Sequence, residues 1–127
     1  MKAQQSTPLK DKRILVVEDQ YLIAADLSRV LAQLRGVDVE AVASAEAARA
    51  ELAQAEYDLA FLDINLDGQM VFPLAEELER RGIPFIFATG HDAAILPDRF
   101  KSRPRLEKPF TLHSVHEVLR QLAPGGC

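Results

Sequence analysis

Apolar and polar positions along this chain follow two alternating periods. The run Arg13-Ile-Leu-Val-Val17 is short and β-branched, as in a strand buried on both faces. After Glu18 and Asp19 the period becomes helical. Ile23, Leu27, Val30, Leu31 and Leu34 share one face, and Gly36 stands where a helix C-terminal glycine belongs. Residues 37–42 read as a second strand. Ser44 is a good N-cap for an alanine-rich helix with Ala45, Ala48, Leu52 and Ala55 inward. Residues 59–62 form a third strand ending at Asp63, followed by a short loop with Gly68. A third helix over 72–81 turns Leu74, Ala75 and Leu78 inward and stops at Gly82. Residues 84–88 form a fourth strand, with Pro84 at its first position, where proline does little harm. Residues 91–103 mix polar and apolar positions around Pro97 and Pro104, and predict at most a short, irregular helix. Leu106 centres a brief fifth strand. A last helix over 111–122 carries Leu112, Val115, Val118, Leu119 and Leu122 on one stripe.

Five strands alternating with helices predict an α/β fold, a doubly wound five-stranded parallel (βα)5 sheet with right-handed crossovers and helices on both faces. With 127 residues there is room for one core. Residues 1–12 read as a flexible N-terminal tail, 13–122 as the domain, and 123–127 as a flexible C-terminal tail. A charge of −4 lacks the basic footprint of general nucleic-acid binding. A single cysteine, Cys127, excludes an internal disulfide and any cysteine-based metal cluster, in keeping with a reducing, cytoplasmic setting. No apolar run approaches the roughly 18 residues of a membrane span, and the start lacks the apolar centre of a signal peptide.

Parallel sheets of this kind place their sites beyond the carboxyl ends of the strands. There the chain puts Glu18 and Asp19 (strand one), Asp63 (strand three), Thr89 and Gly90 (strand four) and Lys108 (strand five). Singly, each has a structural explanation: a charge at a helix N-terminus, a turn hydroxyl, a solvated cation. Jointly they do not, because three crowded carboxylates repel one another and one lysine cannot balance them. A hard divalent ion bound by oxygens completes such a cluster, and Mg²⁺ suits a few carboxylates, waters and a phosphate oxygen. A carboxylate there can attack phosphorus to form an acyl phosphate, with metal and lysine neutralising the transferring group.

Four segments, in this order and on these elements, resemble the receiver domains of two-component response regulators: Ile14-Leu-Val-Val-Glu-Asp19, Asp63 after Leu59-Ala-Phe-Leu62, Thr89-Gly90, and Lys108-Pro-Phe110. The spacing of Asp19 from Asp63 is the family's usual one. The resemblance spans residues 12–122 and implies a flavodoxin-like receiver fold. It implies Asp63 as phosphoacceptor, and Asp19, Asp63 and the main-chain carbonyl of Asn65 as direct Mg²⁺ ligands. Glu18 would act through metal-bound water, Lys108 would pair with Asp63 or its phosphate, and Thr89 would be the switch hydroxyl. It further implies a histidine kinase or a phosphotransfer protein as partner, no direct nucleic-acid or membrane contact, and a monomer or weak dimer. Such a domain is a phosphoacceptor rather than an enzyme: it catalyses only its own phosphorylation and dephosphorylation.

Phe87-Ala-Thr-Gly90 with Pro104-Arg-Leu-Glu-Lys-Pro-Phe110 resembles the single-domain alphaproteobacterial receivers called FATGUY, associated in some cases with general stress signalling. His91 and Asp92 depart from the end of that motif. The usual Met-Pro pair after the phosphoacceptor is absent, and the intervals from Asp63 to Thr89 and from Thr89 to Lys108 are short. Arg105 occupies the strand-five position that usually holds an aromatic residue. A switch built on aromatic rotation is therefore not expected, since burying an unpaired guanidinium is costly. Residues 89–103 are the segment expected to reorder instead, and His91, at the mouth of the site, is expected to influence phosphate lifetime.

An aspartate-based phosphatase would need a second acid two residues after Asp63, where Asn65 stands. There is no G-x-G-x-x-G and no P-loop. His113 and His116 lie i, i+3 on the last helix without a third ligand and read as surface residues. The remaining alternative is a non-phosphorylated receiver-like module that binds protein. Without an attached output domain, the output expected of either reading is a protein contact, or a role as phosphate sink or relay carrier.

Overall fold

The computed structural model describes residues 12–34, 36–66, 69–89, 96–107 and 110–122, with 65, 69, 70, 89 and 122 described by their backbone alone. The strands are β1 (Arg13–Val17), β2 (Asp38–Val42), β3 (Leu59–Asp63), β4 (Asn65–Leu66), β5 (Gln69–Met70), β6 (Phe85–Thr89) and β7 (Arg105–Glu107). The helices are α1 (Tyr21–Leu31), α2 (Ala45–Gln54), α3 (Phe72–Arg81) and α4 (Leu112–Leu122), with a 3-10 turn at Asp98–Phe100. The tail reading of 1–11 and 123–127 lies outside the described residues.

One sheet has the order β2-β1-β3-β6-β7, and every pair in it is parallel. Setting aside the small β4–β5 hairpin, that is strand order 2-1-3-4-5, a flavodoxin-like doubly wound sheet whose order reverses between β1 and β3. The central strands read as continuous apolar runs because both faces are covered. β3 is buried along its whole length, and β1 from Ile14 to Val17. Alternation then divides their side chains. Leu15, Val17, Ala60, Leu62, Phe85 and Phe87 face α2, α3 and Phe100. Ile14, Val16, Leu59, Phe61, Ile86 and Ala88 face α1 and α4. β2 is an edge strand, blunted by exposed Asp38 and Glu40.

Helix ends follow local chemistry. The Ser44 hydroxyl accepts from the Ala47 amide at 3.0 Å and caps α2. Gly82 ends α3 at φ 75, a left-handed conformation that glycine adopts without a Cβ penalty. In α2 the inward residues are Ala48 and Leu52, while Ala45 and Ala55 are only partly buried and Ala55 lies past the helix end.

One element differs from the sequence pattern, and one aperiodic segment holds the short, irregular turn expected of it. The loop after Asp63 contains an antiparallel hairpin, with Asn65 opposite Met70 and Leu66 opposite Gln69. The Val71 amide closes it onto the Ile64 carbonyl at 2.9 Å. Its tip, Gly68 included, lies outside the described residues. In the β6–β7 connection, residues 96–104 hold the 3-10 turn and no α-helix. Pro97 restricts the backbone there, and Phe100 inserts into the core with no exposed surface.

Candidate functional site

β1 and β3 are neighbours in the sheet, and Val17 is in register with Leu62. Glu18 and Asp63 therefore emerge side by side at the carboxyl edge. The Glu18 amide donates to the Val42 carbonyl at 3.0 Å, so the β1–β2 pairing continues one residue past β1 and fixes where the acid begins. The Glu18 carboxylate accepts from the Gln20 amide at 3.2 Å, which turns the chain into α1. One carboxylate oxygen from each of Glu18, Asp19 and Asp63 lies within 4.8 Å of the others. Glu18 is 4% exposed and Asp63 9% exposed, so two of the three acids have little access to bulk water. Oxygen-only donors at this separation, poorly solvated and of one sign, fit a hard divalent cation of the Mg²⁺ kind.

The register also brings the other strand ends to this edge. Asp63 is in register with Ala88, so the Thr89 backbone lies one step further along β6, and Thr89 is in register with Glu107. Gly90, His91 and Lys108 lie outside the described residues, as do the side chains of Thr89 and Asn65. Arg105 is half-buried, and its guanidinium donates to the Lys101 carbonyl at 3.3 Å. His113 and His116 are exposed on α4.

Beside the acids, a cleft of about 240 Å³ opens between α1 and β2, lined by Glu18, Asp19, Tyr21, Ala24, Ser28 and Val42 among others. Tyr21, which lines it, is 81% exposed, and its chain neighbour Leu22 is 78% exposed. Sequence reasoning passed over this pair. The available signal was two large residues at the start of the first helix, off the stripe set by Ile23 and Leu27.

A family model described as the response regulator receiver domain matches residues 14–120. The chain belongs to this family. Among sequence relatives, the receiver matches the transcriptional regulatory protein TcrA of Mycobacterium tuberculosis at 33% identity over 121 residues, covering 90% of this chain and 47% of TcrA. It matches the sensory transduction protein LytR of Staphylococcus haemolyticus at 29% identity, covering 87% of this chain and 44% of LytR. The receiver thus spans less than half the length of these relatives. Among solved structures, it superposes on SdrG from Sphingomonas melonis Fr1 with a TM-score of 0.80 at 40% identity, covering 89% of this chain and 97% of that one. The BeF3-activated conformation of SdrG superposes with a TM-score of 0.76. Among the described residues, no helix is long and apolar enough to cross a membrane.

Proposed function

We propose that this receiver accepts a phosphoryl group on Asp63 from a phosphohistidine of a histidine kinase or a phosphotransfer protein. The observation that carries the reading is the cluster of Glu18, Asp19 and Asp63 at the carboxyl edge of β1 and β3, in a chain of the receiver family. An Asp63 carboxylate oxygen forms a bond to phosphorus as the phosphorus–nitrogen bond to the donor imidazole breaks, and the imidazole leaves with that electron pair. Asp19, Asp63 and the Asn65 main-chain carbonyl would hold Mg²⁺ directly, with Glu18 acting through its water. A bound Mg²⁺ supplies positive charge to the phosphoryl oxygens. Lys108 pairs with the phosphate from the β7 side, and the Thr89 hydroxyl donates to it, drawing the end of β6 toward Asp63. His91, two residues on, orients or blocks the water that hydrolyses the acyl phosphate.

The domain thereby catalyses only its own phosphorylation and dephosphorylation. Its output is a protein contact, or it serves as a phosphate sink or relay carrier, in the cytoplasm where a kinase draws on ATP. The likeness to SdrG across nearly all of that solved chain, together with Phe87-Ala-Thr-Gly90, supports placement in the single-domain FATGUY subgroup.

Acetyl phosphate with Mg²⁺, followed by intact mass, tests the assignment. Wild type gains one phosphoryl increment and Asp63→Asn gains none. Asp19→Asn needs a much higher Mg²⁺ concentration for the same extent. Undiminished labelling of Asp63→Asn would falsify the phosphoacceptor assignment. A wild type that is never labelled, by small donors or by kinase, leaves the non-phosphorylated binding module as the better reading.

A further inference from the structure

The β4–β5 hairpin stands where the usual Met-Pro pair is absent, and its register decides what its backbone groups can reach. Asn65 is opposite Met70 and Leu66 opposite Gln69, and the Val71 amide donates to the Ile64 carbonyl at 2.9 Å. Along an antiparallel ladder, hydrogen-bonded and non-hydrogen-bonded pairs alternate. Ile64 and Val71 are joined by a hydrogen bond, so Asn65 and Met70 form a non-hydrogen-bonded pair. The Asn65 carbonyl therefore points away from β5 and takes no part in the ladder. The residues around it are pinned. Ile64, Leu66 and Val71 are buried, in the core cluster that includes Leu74 and Leu78 of α3. The Val71 carbonyl accepts from the Ala75 amide at 3.1 Å. One residue thus closes the hairpin with its N–H and opens α3 with its C=O.

We infer that the hairpin is a positioning element for the cation at the acid cluster, keeping the Asn65 carbonyl free of the ladder and fixed in direction two residues beyond Asp63. The inference rests on the Mg²⁺ reading above and adds how this chain presents that ligand. A main-chain carbonyl is a neutral donor, and it strengthens binding only as far as it is already aimed. In an unpaired loop it must be ordered each time the ion binds, and that ordering opposes binding. Here the Val71–Ile64 hydrogen bond and the buried side chains of Ile64 and Leu66 hold both neighbours of Asn65 before any ion arrives. A one-residue slip in register would make Asn65 a hydrogen-bonded position and draw its carbonyl into the ladder. Val71 is thereby a positioning residue, which acts on the ion through Asn65.

The test compares two variants of the full chain. Val71→Pro deletes the N–H that closes the hairpin, at a backbone φ of −82 that proline tolerates. Val71→Ala keeps the N–H while losing side-chain packing. Titration with Mg²⁺, followed by amide chemical shifts, should show Val71→Pro binding about ten-fold more weakly than Val71→Ala. Asp19→Asn, in the wild-type background, should lose most of the binding, which places the ion at the acids. Hydrogen exchange of wild type decides the matter if Val71→Pro does not fold. The Val71 amide should be protected without Mg²⁺ and exchange more slowly still with it, since the coupling is reciprocal. An unprotected Val71 amide in the Mg²⁺-free chain, or equal affinity in the two Val71 variants, removes the inference and leaves the cation reading intact, because wild type still binds. A wild type that binds no Mg²⁺, or binds it equally well after Asp19→Asn, removes both.

Discussion

On one face of the sheet, α1 and α4 press Leu27, Val30, Leu31, Val115, Val118 and Leu119 onto an aliphatic layer broken by the rings of Phe61 and Phe110. On the other, α2 contributes only Ala48 and Leu52, and the layer is filled by Phe85, Phe87 and Phe100 with Tyr57 near its edge. The starts of α1 and α2 also differ. α1 begins at Gln20 with no side-chain cap, whereas α2 has the Ser44 cap. Arg49 on α2 donates to Glu77 on α3 at 2.8 Å, and Arg81 meets the same carboxylate at 3.2 Å. Those arginines hold the Glu77 carboxyl below its usual range, the Arg49 hydrogen bond being the largest cause. A helix with four buried apolar residues is held by its stripe. One with two depends on caps, ion pairs and the rings beneath it.

The largest test of this contrast removes one core side chain from each face. Phe87→Ala should cost about 3–5 kcal/mol in urea unfolding, against about 1.5–3 kcal/mol for Val115→Ala. Equal costs would mean that the aromatic layer is loosely packed and that its rings carry less than their size suggests.

A smaller effect concerns pH. Burial, then the hydrogen bond that Tyr57 donates to Glu51 at 2.7 Å, push the Tyr57 hydroxyl up from 10.0 to about 12. Between those values the folded chain keeps a proton that the unfolded chain has lost, so stability is whole below pH 10 and falls as pH rises toward about 12. Tyr57→Phe should flatten that alkaline decline in thermal melts. An unchanged slope would place the titrating group elsewhere.

The smallest effect separates the two helix starts. Ser44→Ala should lose about 1 kcal/mol, and Gln20→Ala should stay within about 0.5 kcal/mol of wild type. A comparable loss at Gln20 would show that α1 needs its first turn fixed as much as α2 does.

The order of strands and helices was legible in the sequence because each regular element writes its own period. Once that order is a run of βα units, the parallel sheet follows, and with it the gathering of strand ends on one edge. That is why Glu18, Asp19 and Asp63 could be named together before any distance was known. The hairpin at 65–70 was not legible, since two-residue strands are too short to show a period. Neither was the role of Phe100, which sits in an aperiodic segment and is buried by rings 13 and 15 positions away in sequence. The same holds for the pairing of Arg99 and Arg103 with α3, and for the cleft between α1 and β2. By itself the sequence determined what neighbouring residues can settle: helix, strand, cap and the charge at each strand end. Only the tertiary structure decided how close the acids stand and what fills the space beneath the β6–β7 connection. Those depend on elements far apart in the chain meeting at fixed distances, and no local pattern records such distances.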